Sequence, residues 1–179
     1  MKKIFLPLII SFFCISMIAQ EKRTFTESIN YYLTINGTEK QYSSAIDQLF
    51  VMLKQQYADK NVDAAVWSAL ESEEEKELAL NQIKVMLASA YRSHFESDDL
   101  EGMIEFYESP AGKQLLVDPT AMSQEQKDKM TIFYGTPAGI KLNEQKQSLA
   151  EMISQISESW SSRLYLSTKE KLATKGYDL

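Results

Sequence analysis

Residues 103–115 read MIEFYESPAGKQL, and residues 130–142 read MTIFYGTPAGIKL. The second stretch starts 27 residues after the first, and seven positions are identical in order. The shared pattern is Phe-Tyr-x-Ser/Thr-Pro-Ala-Gly. Ser109 and Thr136 stand where N-cap residues stand, since a side-chain oxygen there accepts from the free N–H groups of a first turn. Pro110 and Pro137 follow at the first helical position, where a missing N–H costs nothing. A proline also drives its predecessor out of helical φ/ψ, so the helix carrying Phe106-Tyr107, or Phe133-Tyr134, must stop just before it. Each copy therefore predicts a helix, a one-residue break and a new helix. Gly112 and Gly139, each preceded by alanine, remove bulk from the new first turn and are expected to let another helix approach closely. Leucine at either position is expected to cost about 1–3 kcal/mol by overpacking. The aromatic pairs are expected to pack around each corner. The rival use of such a corner is an anion site at the exposed helix N-terminus.

Outward from the repeat, apolar residues recur at helical spacing almost everywhere, and valine occurs at only five positions. This predicts an all-α, single-domain bundle of about six to seven helices. A first helix is expected over Thr26–Asn36, stopped by Gly37. Thr38-Glu39-Lys40-Gln41 reads as a capping box for a second helix with Tyr42, Ile46, Leu49, Leu53 and Tyr57 inward. Asn61 is expected to start a short helix carrying Val66, Trp67 and Leu70. Ser72-Glu73-Glu74-Glu75 reads as a further box, opening a helix to about Phe95 with Leu80, Ile83, Leu87, Ala90 or Tyr91, and His94 inward. Ser97, followed by Asp98 and Asp99, is expected to cap the next. The acidic run Glu71–Glu77 reads as a solvated helix start matched to the helix dipole. From Pro137 to about Lys171 no strong breaker occurs, and Ile140, Leu149, Met152, Ile153, Ile156, Trp160 and Leu164 form a stripe along one long C-terminal helix. Such a stripe suits a core or a helix-pairing face, and a homodimer through it is one expectation. Residues from about Thr174 are expected to fray.

The N-terminus has a different character. Met1-Lys2-Lys3 precedes an apolar run, Ile4–Ile18, and then Ala19-Gln20. A basic start, an apolar stretch of about 15 residues and a small residue at the junction predict a secretory signal peptide over residues 1–19, with a retained anchor as the alternative. Residues 20–179 then form the domain. Losing Lys2 and Lys3 takes the net charge from −6 to −8, and the single cysteine, Cys14, is lost as well. Without cysteine the exported chain has no disulfide, so a packed core must hold it. An acidic chain of this kind argues against nucleic acid as a partner. No later stretch is long and apolar enough to span a bilayer.

The stretch Tyr91–Leu116, YRSHFESDDLEGMIEFYESPAGKQLL, resembles the hallmark segment of the domain of unknown function 2059 family. The Gly37-ended helix, the Trp67 helix, Trp160 and the Lys175-Gly176-Tyr177 ending are similar too, so the likeness extends over about residues 26–177. It implies an exported bacterial all-α protein, and it brings no catalytic residues to carry over. The second copy, FYGTPAG, departs from the single copy expected of the family. That departure leaves open which copy stands in the usual position.

Residues suited to catalysis form no constellation. A hydrolytic triad needs a base, and His94, the sole histidine, falls on the apolar line of its helix. His94 and Asp98 have i,i+4 spacing, yet Ser97 ends the helix between them and zinc lacks further ligands. Phosphate loops and nucleophile elbows are absent from the sequence, and no cofactor is expected. The leading expectation is a non-enzymatic helical module of the cell envelope, periplasmic or otherwise extracellular, working through an unknown protein partner or a homodimer. The alternative is a carrier for a small apolar molecule or lipid in an interhelical cavity lined by residues such as Met52, Met86, Met103, Met130 and Met152. A third reading, hydrolysis of envelope polymers, rests only on the abundance of Asp and Glu.

Overall fold

The computed structural model describes residues 23–178, and the expected signal peptide lies outside the described residues. Among the described residues eight α-helices follow one another: α1 Phe25–Ile35, α2 Thr38–Gln56, α3 Ala64–Leu70, α4 Glu73–His94, α5 Ser97–Glu108, α6 Pro110–Val117, α7 Gln124–Tyr134 and α8 Pro137–Ala173. No strand occurs among the described residues, and no helix there is long and apolar enough to cross a membrane.

Local chemistry sets most helix starts. Thr24 and Glu27 form a reciprocal capping box for α1. Ser72 Oγ accepts from Glu75 N–H at the start of α4, where Glu73, Glu74 and Glu75 face the positive end of the dipole. Three starts differ from the sequence reading. The Thr38–Gln41 box does not form, because Gly37 at φ 82° already occupies the cap position and puts Thr38 inside the helix. Asn36 Oδ1 instead takes the Thr38 N–H at 3.0 Å, while Glu39 turns to Thr34 and Lys84. Asn61 sits at φ 49° after a single 3-10 turn, and Asp63 is the residue that caps α3 through Ala65 N–H at 2.8 Å. On α5 the cap is Glu96 rather than Ser97, since Asp99 reaches back to the Glu96 N–H at 2.8 Å.

The core runs through α1, α2, α4, α5 and α8, with Leu33, Ile46, Leu53, Ile83, Leu100, Met103 and Leu172 removed from solvent. Each such side chain contributes about 1.5–3 kcal/mol by burial. Helix α1 lies on α5 and also touches α2 and α4, whereas α8 runs along α4 and packs on α5. Along α8 the stripe buries Leu149, Trp160, Thr168 and Leu172 and half-buries Met152, Ile153, Ile156 and Leu164. Ile140, expected on that stripe, is 47% exposed, because the first turn of α8 turns Ala138 and Gly139 inward and leaves Ile140 on the opposite side. Among the described residues the chain does not fray after Thr174. Gly176 at φ 89° sends its N–H to Ala173 O (2.9 Å), Tyr177 sends its own to Leu172 O (3.1 Å), and the Tyr177 hydroxyl accepts from Asp63 N–H. This Schellman turn satisfies carbonyls that a helix end leaves open and ties the C-terminus to the start of α3.

Candidate functional site

Both copies of the repeated motif fold as corners, and they fold alike. Ser109 Oγ accepts from Gly112 N–H at 3.1 Å and donates to Phe106 O at 2.6 Å. Thr136 Oγ1 does the same with Gly139 N–H at 3.2 Å and Phe133 O at 2.7 Å. Pro110 and Pro137 open α6 and α8. The glycines serve the corner itself. A Cβ on Gly112 would lie 2.2 Å from Phe106 O, and one on Gly139 would lie 2.1 Å from Phe133 O. The element approached closely is thus the last turn of the preceding helix, not a separate one.

The two corners meet. Phe106 and Phe133, equivalent residues of the two copies, stack on each other with ring centroids 4.3 Å apart and planes 9° from parallel. Helix α5 packs on α8 and α6 packs on α7, so each helix of one copy touches the non-equivalent helix of the other. That is the contact pattern of an isologous pair, here inside one chain. The correspondence reaches the caps. Asp99 and Gln126, again 27 residues apart, are the N3 residues of the α5 and α7 capping boxes. Each also crosses to the other copy, Asp99 to Lys141 Nζ at 2.5 Å and Gln126 Nε2 to Pro110 O at 3.2 Å. Donating to the Asp99 carboxylate holds the Lys141 ammonium above its ordinary pKa. Gly102, not singled out by the motif, completes the contact, because a Cβ there would come within 2.8 Å of Ala138 Cβ. A glycine in a helix interior, costing about 1 kcal/mol against alanine, was its signal in the sequence.

The DUF2059 family model, described as uncharacterized protein conserved in bacteria, matches residues 81–131. These residues are a DUF2059 segment. The segment spans α4 from Asn81 onward, all of α5 and α6, and α7 up to Thr131. It contains the first corner and stops before Phe133. Among curated proteins and among solved structures nothing matches.

Within the DUF2059 segment the first corner is covered. Tyr32 of α1 packs edge-on against Tyr107 (5.6 Å between centroids) and Tyr91 (5.5 Å), and Tyr31 donates to Glu108 at 2.5 Å. Burial, followed by the neighbouring tyrosines, pushes the Tyr32 and Tyr91 hydroxyls well above the ordinary tyrosine pKa, and Tyr107 is raised chiefly by burial. The folded state therefore holds protons that the unfolded chain releases above about pH 10. Stability from this cluster is complete below that pH and is lost as pH rises beyond it. A pH series of thermal melts is expected to show the midpoint falling from about pH 10 upward, with a shallower fall for Tyr91→Phe. An unchanged slope in that variant would contradict the assignment.

His94, also in the segment, has both ring nitrogens engaged, Nδ1 with Ala90 O at 2.7 Å and Nε2 with Ser148 Oγ at 2.9 Å. It pins the end of α4 to α8. Upstream, the acidic run 71–77 places Glu71 on Lys54 (2.6 Å) and Glu75 on Lys171 (2.7 Å). Among the described residues no group of three or more His, Cys, Asp or Glu is arranged to hold a metal ion.

The second corner is open. Tyr134, equivalent to Tyr107, is expected to pack around its corner but is 43% exposed, since among the described residues no helix lies over it as α1 lies over Tyr107. It borders a groove of about 480 Å³ along α8, lined by Leu142, Lys146, Leu149, Ala150 and Ile153. Leu142, Lys146, Leu149 and Ile153 are spaced four, three and four residues apart, which sets them on one side of the helix with coiled-coil spacing.

Proposed function

We propose that the protein is an exported, non-enzymatic helical module of the cell envelope, most simply the periplasm, that works by protein contact and self-association. The signal-like residues 1–19 support export. The observation that carries the contact role is the open face at the second corner, three turns of α8 whose apolar residues are spaced to receive another helix. The occupant best matched to it is a second copy of the same face. Lys146 stands within the groove and Glu151 beside it, so two copies of α8 laid antiparallel bring Lys146 of one protomer to Glu151 of the other while the half-buried Leu142 and Ile153 meet across the pair. Among the described residues Glu151 accepts a neutral bond from Gln147 at 3.1 Å and has no ion pair.

Sedimentation equilibrium of the chain lacking residues 1–19 tests this directly. A monomer–dimer equilibrium is expected, weakened by Lys146→Glu or Glu151→Lys alone and restored when both reversals are combined. Both residues are exposed, so the fold is left intact. A chain that stays monomeric at every concentration, or a dimer indifferent to these charges, would overturn the reading.

A further inference from the structure

A second groove, of about 690 Å³, lies on the opposite half of α8, where that helix meets α2 and α4. Its floor is Ile46, Phe50 and Leu164, and its α4 wall carries Leu78 and Val85, 54% and 72% exposed. The buried hydroxyl of Thr168 donates its proton to Leu164 O at 2.8 Å and so has none to give an anion. Two cations stand on the α8 rim. Lys171 is neutralised by Glu75, which accepts from its Nζ through both carboxylate oxygens at 2.7 Å. Arg163 is not. Its Nη2 donates to the thioether sulfur of Met86 at 3.1 Å and its Nε to Ser159 O at 3.3 Å, and it has no carboxylate ion pair among the described residues. A thioether is a weak acceptor, so a guanidinium built to hold an anion with a pair of parallel N–H groups is left under-used.

An apolar trough with one unneutralised cation at its edge matches one kind of molecule. We propose that this groove binds a single-chain anionic amphiphile, its hydrocarbon tail lying on Phe50 and Leu164 between Leu78 and Val85, and its terminal anion paired with Arg163. The apolar surface supplies affinity without direction, and the guanidinium fixes which end of the molecule lies where. The site is separate from the second-corner face, so it stands or falls independently of self-association.

Displacement of a fluorescent fatty acid by decanoate, and by decanol as its uncharged counterpart, tests the assignment on the chain lacking residues 1–19. Decanoate is expected to occupy one saturable site per chain and to bind about tenfold more tightly than decanol. Arg163→Gln should bring decanoate down to the level of decanol, while Arg163→Lys keeps most of the preference. Leu78→Glu, at an exposed position that leaves the core untouched, should weaken decanoate binding by setting a charge against its hydrocarbon tail. Absence of a saturable site would overturn the proposal. So would equal binding of acid and alcohol to the unaltered protein, or a preference for decanoate that survives Arg163→Gln. Acetate competing as well as decanoate would reduce the site to a surface anion contact and would also overturn it.

Discussion

Gly112→Ala is expected to destabilise the protein by about 3 kcal/mol, at the upper end of the range for overpacking, although alanine adds a single methyl group. The added carbon would meet Phe106 O at 2.2 Å and Tyr107 Cα at 2.6 Å, and both are backbone atoms that no rotamer change can move. Relief requires opening the corner. That in turn breaks the Ser109 bonds to Gly112 N–H and to Phe106 O. At roughly 2–4 °C per kcal/mol for a chain of this size, the melting midpoint should fall by about 6–12 °C. Gly139→Ala is expected to match it, because its Cβ would stand 2.1 Å from Phe133 O. Gly135→Ala is the control. Its nearest neighbour is 3.4 Å away and its φ of −89° suits any residue, so a change within about 0.5 kcal/mol is expected. Equal melts for Gly112→Ala and Gly135→Ala would remove the corner account.

Trp160→Ala is expected to cost about 3–5 kcal/mol in chemical denaturation. Trp160 is 4% exposed and joins three helices. It lies on α8, its ring meets Tyr42 of α2 edge-on at 5.3 Å and 90°, and its Nε1–H donates to Ala79 O of α4 at 3.2 Å. Removing it leaves a cavity at the point where α8 is fastened to the rest of the bundle. Trp160→Phe keeps most of the ring surface and loses the hydrogen bond and part of the volume, so a smaller cost of about 1–2 kcal/mol is expected. A Trp160→Ala loss below that of Trp160→Phe would contradict this picture of the junction.

The all-α class and the corners were legible because their signals are local. A serine or threonine before proline fixes a cap, a break and a helix start without reference to anything distant. Where the reading failed, the deciding partner was elsewhere or two signals competed. Thr38-Glu39-Lys40-Gln41 has the letters of a capping box, but the left-handed Gly37 before it had already taken the cap. Ile140 has the right spacing for the α8 stripe, yet which side of α8 is inward changes along its length with the helices it meets. Tyr134 repeats Tyr107 in sequence and differs only because α1 covers one and not the other. For the same reason the stacking of Phe106 on Phe133 could not be read from spacing alone: a repeat says that two units are alike, not that they touch. The DUF2059 segment contains one corner, and the other, lying beyond it, supplies its partner.

The two copies form one paired unit through equivalent residues. A double-mutant cycle on Phe106→Ala and Phe133→Ala, followed by urea denaturation, tests it most directly. The rings touch at 4.3 Å, so a coupling energy of about 1 kcal/mol or more is expected, each single change making the other less costly. Two losses that add to within about 0.5 kcal/mol would show corners that stand independently, and would contradict the pairing.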